Sequence, residues 1–114
     1  MSNQDTNTTI PVSRPIGERG LVVLGGGESG VGAAILGKQK GYSVFVSDKG
    51  SIANKYKEVL VNNEIDYEEN LHTESKILKA DVVVKSPGIP DNTALLQKLI
   101  KNSIPVISGI EFAQ

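Results

Sequence analysis

Short apolar runs alternate with longer amphipathic stretches along most of this chain, and the alternation predicts strands and helices in turn. The predicted strands are residues 21–24, 43–47, a weaker one at 65–67, 81–85 and 105–108. Apolar residues recur at helical spacing after residues 30, 51 and 92, and a short helix or turn is expected at 72–79. Each predicted strand is therefore separated from the next by a helical segment.

Residues that favour helix caps mark the ends of these segments. Gly41 follows the first apolar stripe where a helix commonly stops, and Asn62 and Asn63 end the second helix. The predicted N-caps are Ser51 for the second helix, Asp91 or Asn92 for the helix near residue 95, and Ser108, which forms an S-x-x-E capping box with Glu111 before a further helix. The caps leave only short loops between strands and helices.

Strands that alternate with helices at this spacing indicate βαβ units and an α/β fold. We expect about five parallel strands with helices on both faces of the sheet. In such sheets, ligands bind at the carboxyl ends of the strands, near the point where the strand order reverses. The loops after residues 24, 47 and 85 lie at those ends, so we expect them to converge on one crevice.

The composition is that of one soluble globular domain, with 39% hydrophobic and 22% charged residues in a chain of 114. A net charge of -1 gives no reason to expect nucleic acid or a membrane surface as a partner. The chain has no cysteine, which excludes disulfides and fits a reducing compartment, so we expect the cytoplasm. Polar residues 1–19 predict a flexible arm before a folded unit at 20–114, and no run is apolar enough for a signal peptide or a membrane span.

The sequence GGGESG at residues 25–30 directly follows the first predicted strand and opens the first helix. Gly25 would let the chain turn off the strand, Gly27 would let a phosphate approach the backbone, and Gly30 would let the helix pack close to the strand. A helix start also favours an anion through its unpaired N–H groups and dipole. The pattern predicts a phosphate site, although a glycine turn without a ligand has the same sequence.

Two further loops fall at the same edge of the predicted sheet. Asp48 ends the second strand, where dinucleotide-binding folds often place an acid that accepts hydrogen bonds from ribose, but an aspartate in a turn before Gly50 also fits. Ser86, Pro87 and Gly88 follow the strand at 81–85, and a proline-fixed bend there would expose N–H groups and a hydroxyl. The three loops together indicate a nucleotide site.

Four segments in this order, LGGGESG, VSDKG, ADVVVKSPGIP and PVISGIEFA, resemble the N-terminal domain of the Mur ligase family, specifically of its D-glutamate-adding members. The resemblance covers about residues 20–114 and is most specific in the SPGIP loop and the I-E-F that follows. It implies a Rossmann-like domain that binds the UDP part of the muramoyl substrate rather than NAD.

The resemblance also implies which residues contact UDP. They are Gly27, Glu28, Ser29 and Gly30 around the diphosphate and ribose, Asp48 and Lys49 near the uracil, and Ser86, Pro87 and Gly88 against the nucleotide from the other side. Two positions depart from the family pattern: Glu28 would repel a diphosphate unless its side chain turns outward, and Gly109 replaces a usual acidic residue.

The resemblance implies that the complete enzyme uses ATP and magnesium to activate UDP-N-acetylmuramoyl-L-alanine as an acyl phosphate, which D-glutamate then attacks. This reaction belongs to peptidoglycan synthesis and so to cell wall biogenesis, and it serves cell shape and cell division. This chain has no GxxxxGK[ST] sequence for ATP. We therefore expect the isolated N-terminal domain of a longer ligase, a monomer that holds substrate, has no cofactor or catalytic residue of its own and is inactive alone.

The alternative is an NAD-binding module of a dehydrogenase or regulatory subunit, in which Asp48 would contact the adenosine ribose. A plain interaction domain with a vestigial loop is a third possibility. His72 is predicted to be an exposed loop residue, and Glu68 and Glu69 are predicted to be a solvated surface. No metal site is predicted.

Overall fold

A computed structural model describes residues 19–90, 93–109 and 112. The strands are β1 (Gly20–Leu24), β2 (Ser43–Asp48), β3 (Asp66–Glu69), β4 (Val82–Lys85) and β5 (Val106–Ser108). The helices whose ends both lie among these residues are α1 (Glu28–Gln39), α2 (Asn54–Asn62), α3 (Glu74–Ile77) and α4 (Ala94–Lys101). The predicted alternation of strands and helices is confirmed.

The strands form one five-stranded sheet in the order β3-β2-β1-β4-β5, and every pair is parallel. The chain builds outward from β1 to β3 and then crosses back to place β4 on the other side of β1. The order therefore reverses between β1 and β4, which puts a crevice at the carboxyl ends of these two strands. The prediction of a Rossmann-like parallel sheet is confirmed.

The central strand β1 is apolar at every position after Gly20 because helices cover both faces of the sheet. Leu21 and Val23 belong to one core with side chains of α1 and α2, whereas Val22 and Leu24 pack with side chains of α3 and α4. Burial of each such side chain contributes roughly 1.5–3 kcal/mol. Two apolar layers thus hold β1 in the middle of the domain and fix where its carboxyl end lies.

The predicted caps are only partly right. Ala53, not Ser51, is the N-cap of α2, and Ser51 instead contacts Asn70 through its hydroxyl. Thr93 caps α4 by accepting the N–H of Leu96 at 3.4 Å; the predicted caps Asp91 and Asn92 lie outside the described residues.

Some other predicted features also lie outside the described residues. The predicted arm lies outside them except for residue 19, and so does Glu111 of the predicted capping box. The backbone at Gly109 and Phe112 is nevertheless helical, as expected after Ser108. No helix among the described parts of the chain is long and apolar enough to cross a bilayer.

Candidate functional site

The loop between β1 and α1 turns so tightly that two of its glycines are required. Gly25 has a φ of +107°, which L side chains rarely adopt, and its N–H donates to the carbonyl of Ser47 at 2.9 Å. A Cβ built on Gly30 would overlap the carbonyl oxygen of Gly25, so the start of α1 lies directly against the turn. Gly30 is buried at this contact, and the close packing explains why the residue is a glycine without any role in ligand binding.

The start of α1 is exposed beyond this turn. Gly27 is the extended N-cap of the helix, and a Cβ built on it would meet no described atom within 4 Å. The first intrahelical bond runs from the N–H of Val31 to the carbonyl of Gly27, so the N–H groups of Glu28, Ser29 and Gly30 have no acceptor within the helix. Those amides favour an anion, although the exposed carboxylate of Glu28 opposes one.

Asp48 connects the end of β2 to two loops. Its Oδ2 accepts the N–H of Gly26 at 2.8 Å, and its Oδ1 accepts the N–H of Gly50 at 2.8 Å. The second bond is the turn interaction that the sequence allowed, and the first ties the glycine loop to β2. Asp48 therefore positions the loop, and its two carboxylate oxygens keep further lone pairs for a ligand.

The loop after β4 approaches the glycine loop through Ser86. Its N–H donates to the carbonyl of Leu24 at 3.0 Å, and its hydroxyl occupies the space that a Cβ on Gly25 would need. Beyond it, the ammonium of Lys85 donates to the carbonyl of Ile89 at 3.0 Å and closes the bend. Pro87 and Gly88 are exposed on the outside of this bend. The two loops are thus in direct contact.

A cleft of about 650 Å³ opens at the carboxyl ends of the strands. Residues of several loops line it, among them Gly25, Asp48, Lys49, His72, Gly88 and Thr93. The fold therefore brings three predicted site residues, Asp48, Lys49 and Gly88, into one cavity, whereas Gly27, Glu28 and Ser29 lie at the exposed start of α1.

A larger groove of about 750 Å³ lies beside the edge strand β3 and is lined by Phe45, Tyr67, Lys76 and Lys79 among others. It contains neither the glycine loop nor any predicted site residue. The cleft at the strand ends is therefore the candidate site.

A polar cluster behind the cleft was missed from the sequence. Ser47 is 0% exposed, and its hydroxyl lies 2.7 Å from Oε2 of Glu68, 2.7 Å from Nδ1 of His72 and 3.3 Å from the carbonyl of Leu71. Glu68 also accepts the N–H and the hydroxyl of Thr73 at 2.7 and 2.6 Å. Half-buried Glu68 and His72 are thus structural partners, and the predictions of a solvated glutamate and an exposed histidine are wrong.

The same correction applies to Glu69, which is half-buried. Its Oε2 lies 2.7 Å from the ammonium of Lys57, and its Oε1 accepts the N–H of Ile52 at 2.9 Å. These contacts connect β3 to α2 and to the segment before it. The contact between Ser47 and Glu68 follows from the register of the parallel pair β2 and β3, in which the two residues are partners and so share a face.

Burial and hydrogen bonding set the protonation states in the cluster. Burial raises the pKa of Glu68, but hydrogen bonds from Thr73 and Ser47 outweigh it and hold that pKa below its usual value. Burial lowers the pKa of His72, against the opposing attraction of Glu68 and Asp48. At neutral pH the cluster therefore contains a carboxylate and a neutral imidazole. No group of three or more metal-binding side chains occurs in the described parts of the chain.

Comparison with known proteins identifies the domain. A family model described as the MurD N-terminal domain matches residues 19–95. The UDP-N-acetylmuramoylalanine--D-glutamate ligases of Christiangramia forsetii and Bacteroides thetaiotaomicron are 61% and 55% identical to the chain over 93 residues, which is 82% of the chain. The solved structure of a pseudomurein peptide ligase type C from Methanothermus fervidus has a TM-score of 0.69 and 31% identity over 84% of the chain.

The match concerns one part of those proteins. The chain spans 21% of the length of the two bacterial ligases and 20% of the archaeal one. The family model covers β1 through the start of α4, which includes the glycine loop, Asp48 and the bend after β4. By this match and its identity to ligases that carry the domain, the chain belongs to the MurD N-terminal domain family.

Proposed function

We propose that this chain is the UDP-recognition domain of a ligase that adds D-glutamate to UDP-N-acetylmuramoyl-L-alanine. The observation that carries the proposal is the cleft at the reversal of strand order, which Asp48, Lys49 and Gly88 line beside the glycine loop. The names of the bacterial relatives supply the substrate. Nucleotides bind at this place in other sheets of this topology.

The polar groups around the cleft suit the parts of a nucleoside diphosphate. The N–H groups of Glu28 and Ser29 and the dipole of α1 favour the diphosphate, and open space at Gly27 lets it approach the backbone. The exposed side chain of Glu28 leaves its backbone as the contributing group. The carboxylate of Asp48 and the ammonium of Lys49 offer an acceptor and a donor to the sugar and base.

The chemistry of amide formation belongs, in this proposal, to the remainder of a longer protein. ATP, magnesium and D-glutamate would bind there, and the present domain would hold the UDP-linked substrate as a monomer in the cytoplasm. The domain alone is then expected to bind nucleotide without turnover.

A titration followed by amide resonances tests the proposal. UDP-N-acetylmuramoyl-L-alanine, and more weakly UDP, should shift the amides of Gly27, Ser29, Lys49 and Gly88. NAD should leave them unchanged. Selective shifts with NAD would replace the proposal with an NAD-binding module, and no shift with any of the three ligands would indicate an interaction domain.

A matched pair of variants separates the binding role of the loop from its folding role. Gly27→Val adds a side chain in open space, so we expect an unchanged fold and at least about a tenfold loss of UDP affinity from steric exclusion of the phosphate. Gly32→Val adds the same side chain to the exposed face of α1, also in open space, and should bind as the parent does. Equal affinities of the two variants would contradict the proposed phosphate position.

A further inference from the structure

The hydrogen bonds of Ser47 determine which nitrogen of His72 carries a proton. A serine hydroxyl has one hydrogen, and the ionised carboxylate of Glu68 can only accept. The 2.7 Å contact between Oγ of Ser47 and Oε2 of Glu68 therefore uses the hydroxyl hydrogen. Oγ can then only accept from His72 at 2.7 Å, so Nδ1 of the imidazole is protonated.

The other nitrogen, Nε2, is consequently a hydrogen-bond acceptor in the neutral ring. His72 is half-buried and lines the cleft, and the bond to buried Ser47 leaves Nε2 as the nitrogen available to a ligand. Burial lowers the pKa of His72, which favours this neutral form near pH 7. The cleft thus presents a defined acceptor at the end of β3.

The position of this acceptor fits the base of a nucleotide. The loop that carries His72 is fixed to β2 because Asn70 and Leu71 donate their N–H groups to the carbonyls of Gly50 and Asp48 at 2.9 and 3.3 Å. The proposed diphosphate position lies at the start of α1, after β1. In the sheet order, β2 and then β3 follow outward from β1, so a nucleotide extended across the strand ends brings its base towards His72.

We propose that His72 is a specificity-determining residue that selects uracil by accepting a hydrogen bond from its N3–H on Nε2. This inference rests on the proposed UDP function. Cytosine carries an unprotonated nitrogen at the same ring position, so two acceptors would face each other in a complex with CDP. The protein should therefore prefer UDP to CDP, although the two ligands have the same ribose and diphosphate.

Titration calorimetry of the 114-residue chain with UDP and with CDP tests the inference. The parent should bind UDP at least about tenfold more tightly than CDP, as expected for an unmatched buried acceptor. His72→Asn keeps an amide N–H where Nδ1 donates to Ser47 but lacks Nε2. This variant should lose most of the preference, while its unfolding midpoint in urea stays near that of the parent.

His72→Gln is the matched control, because its amide can reach the position of Nε2 instead of that of Nδ1. It should lose the bond to Ser47 but recover part of the preference for UDP. A purely structural role for His72 predicts the opposite order, with Gln more damaging to binding than Asn. A parent that binds UDP and CDP equally, or a His72→Asn variant that keeps the preference, would overturn the inference and leave the UDP function standing. A parent that binds neither UDP nor its muramoyl derivative overturns both.

The dependence of the preference on pH gives an independent readout. The charged groups that face His72 are Glu68 of β3, Asp48 and Lys49 after β2, and Glu74 of α3. As the pH falls from neutrality through the lowered pKa of His72, Nε2 gains a proton and can no longer accept. The ratio of UDP to CDP affinity should decline with acidification in the parent and stay flat in His72→Asn. A flat ratio in the parent would contradict the assignment.

Discussion

The two sides of the cleft are built from different parts of the polypeptide. On one side, Gly25 lines the cleft as part of the tight glycine turn before α1, and a single carboxylate, Asp48, fixes that turn through the N–H of Gly26. On the other side, the side chains of Ser47, Glu68 and His72 form a cluster behind the loop that ends β3. The first side depends on the absence of Cβ atoms, and the second depends on the pairing of polar atoms.

Because of this difference, the two sides of the cleft respond differently to substitutions. Where two backbone segments touch, an added side-chain atom is destabilising, because a clash with a backbone group cannot be relieved by rotating a side chain. A polar cluster tolerates small changes of shape but not the loss of one partner, since a buried group left unpaired keeps its full desolvation cost. Substitutions that add one atom to the backbone side, or remove one group from the cluster, can therefore measure what each side contributes to the stability of the domain.

The largest effect is expected from Gly30→Ala. The new Cβ would overlap the carbonyl oxygen of Gly25, so α1 or the turn must move. We expect a loss of at least about 3 kcal/mol in the free energy of unfolding, at the upper end for overpacking. Urea denaturation measures it, with circular dichroism to show whether the domain still folds. A stability within about 1 kcal/mol of the parent would show that the contact is not rigid.

The glycine turn on the backbone side was predictable from the sequence, because glycine is the residue type that such a tight turn and close helix packing require. Gly25, Gly30 and the strand before them are enough to specify the turn, and the alternation of apolar runs specified the parallel sheet. The sequence indicated the side-chain cluster much less clearly. Glu68 and His72 look like surface residues until the register between β2 and β3 places Glu68 beside Ser47, and register between separate strands is a tertiary property.

The helix caps were harder to predict for a related reason. Ser51 has the residue type of an N-cap, but α2 begins later, at Asn54, because Ile52 is buried in the core and its N–H is bound by Glu69. Tertiary contacts of the segment thus override its local preference. The roles of Gly27 and Pro87 in binding a ligand stay predictions.

An intermediate effect is expected from Ser47→Ala, which probes the side-chain cluster. The change removes a fully buried hydroxyl and leaves Nδ1 of His72 and Oε2 of Glu68 each without this partner. We expect the free energy of unfolding to fall by about 1–3 kcal/mol. Ser43→Ala, at the exposed start of the same strand, is the control and should change it by less than about 0.5 kcal/mol. Equal effects of the two changes would mean that the cluster does not stabilise the fold.

The smallest effect, and one of opposite sign, is expected from Gly32→Ala. This glycine lies two residues after Gly30 in the same helix, but it is exposed and a Cβ built on it meets no described atom within 4 Å. Alanine also restricts the unfolded chain, so the free energy of unfolding should rise by about 0.5–1 kcal/mol in urea denaturation. Because Gly30→Ala and Gly32→Ala add the same atom to one helix, their difference isolates the contact with Gly25. A loss of stability from Gly32→Ala would show that the exposed face of α1 cannot accept a Cβ. The difference between the two variants would then no longer isolate the contact between Gly30 and Gly25.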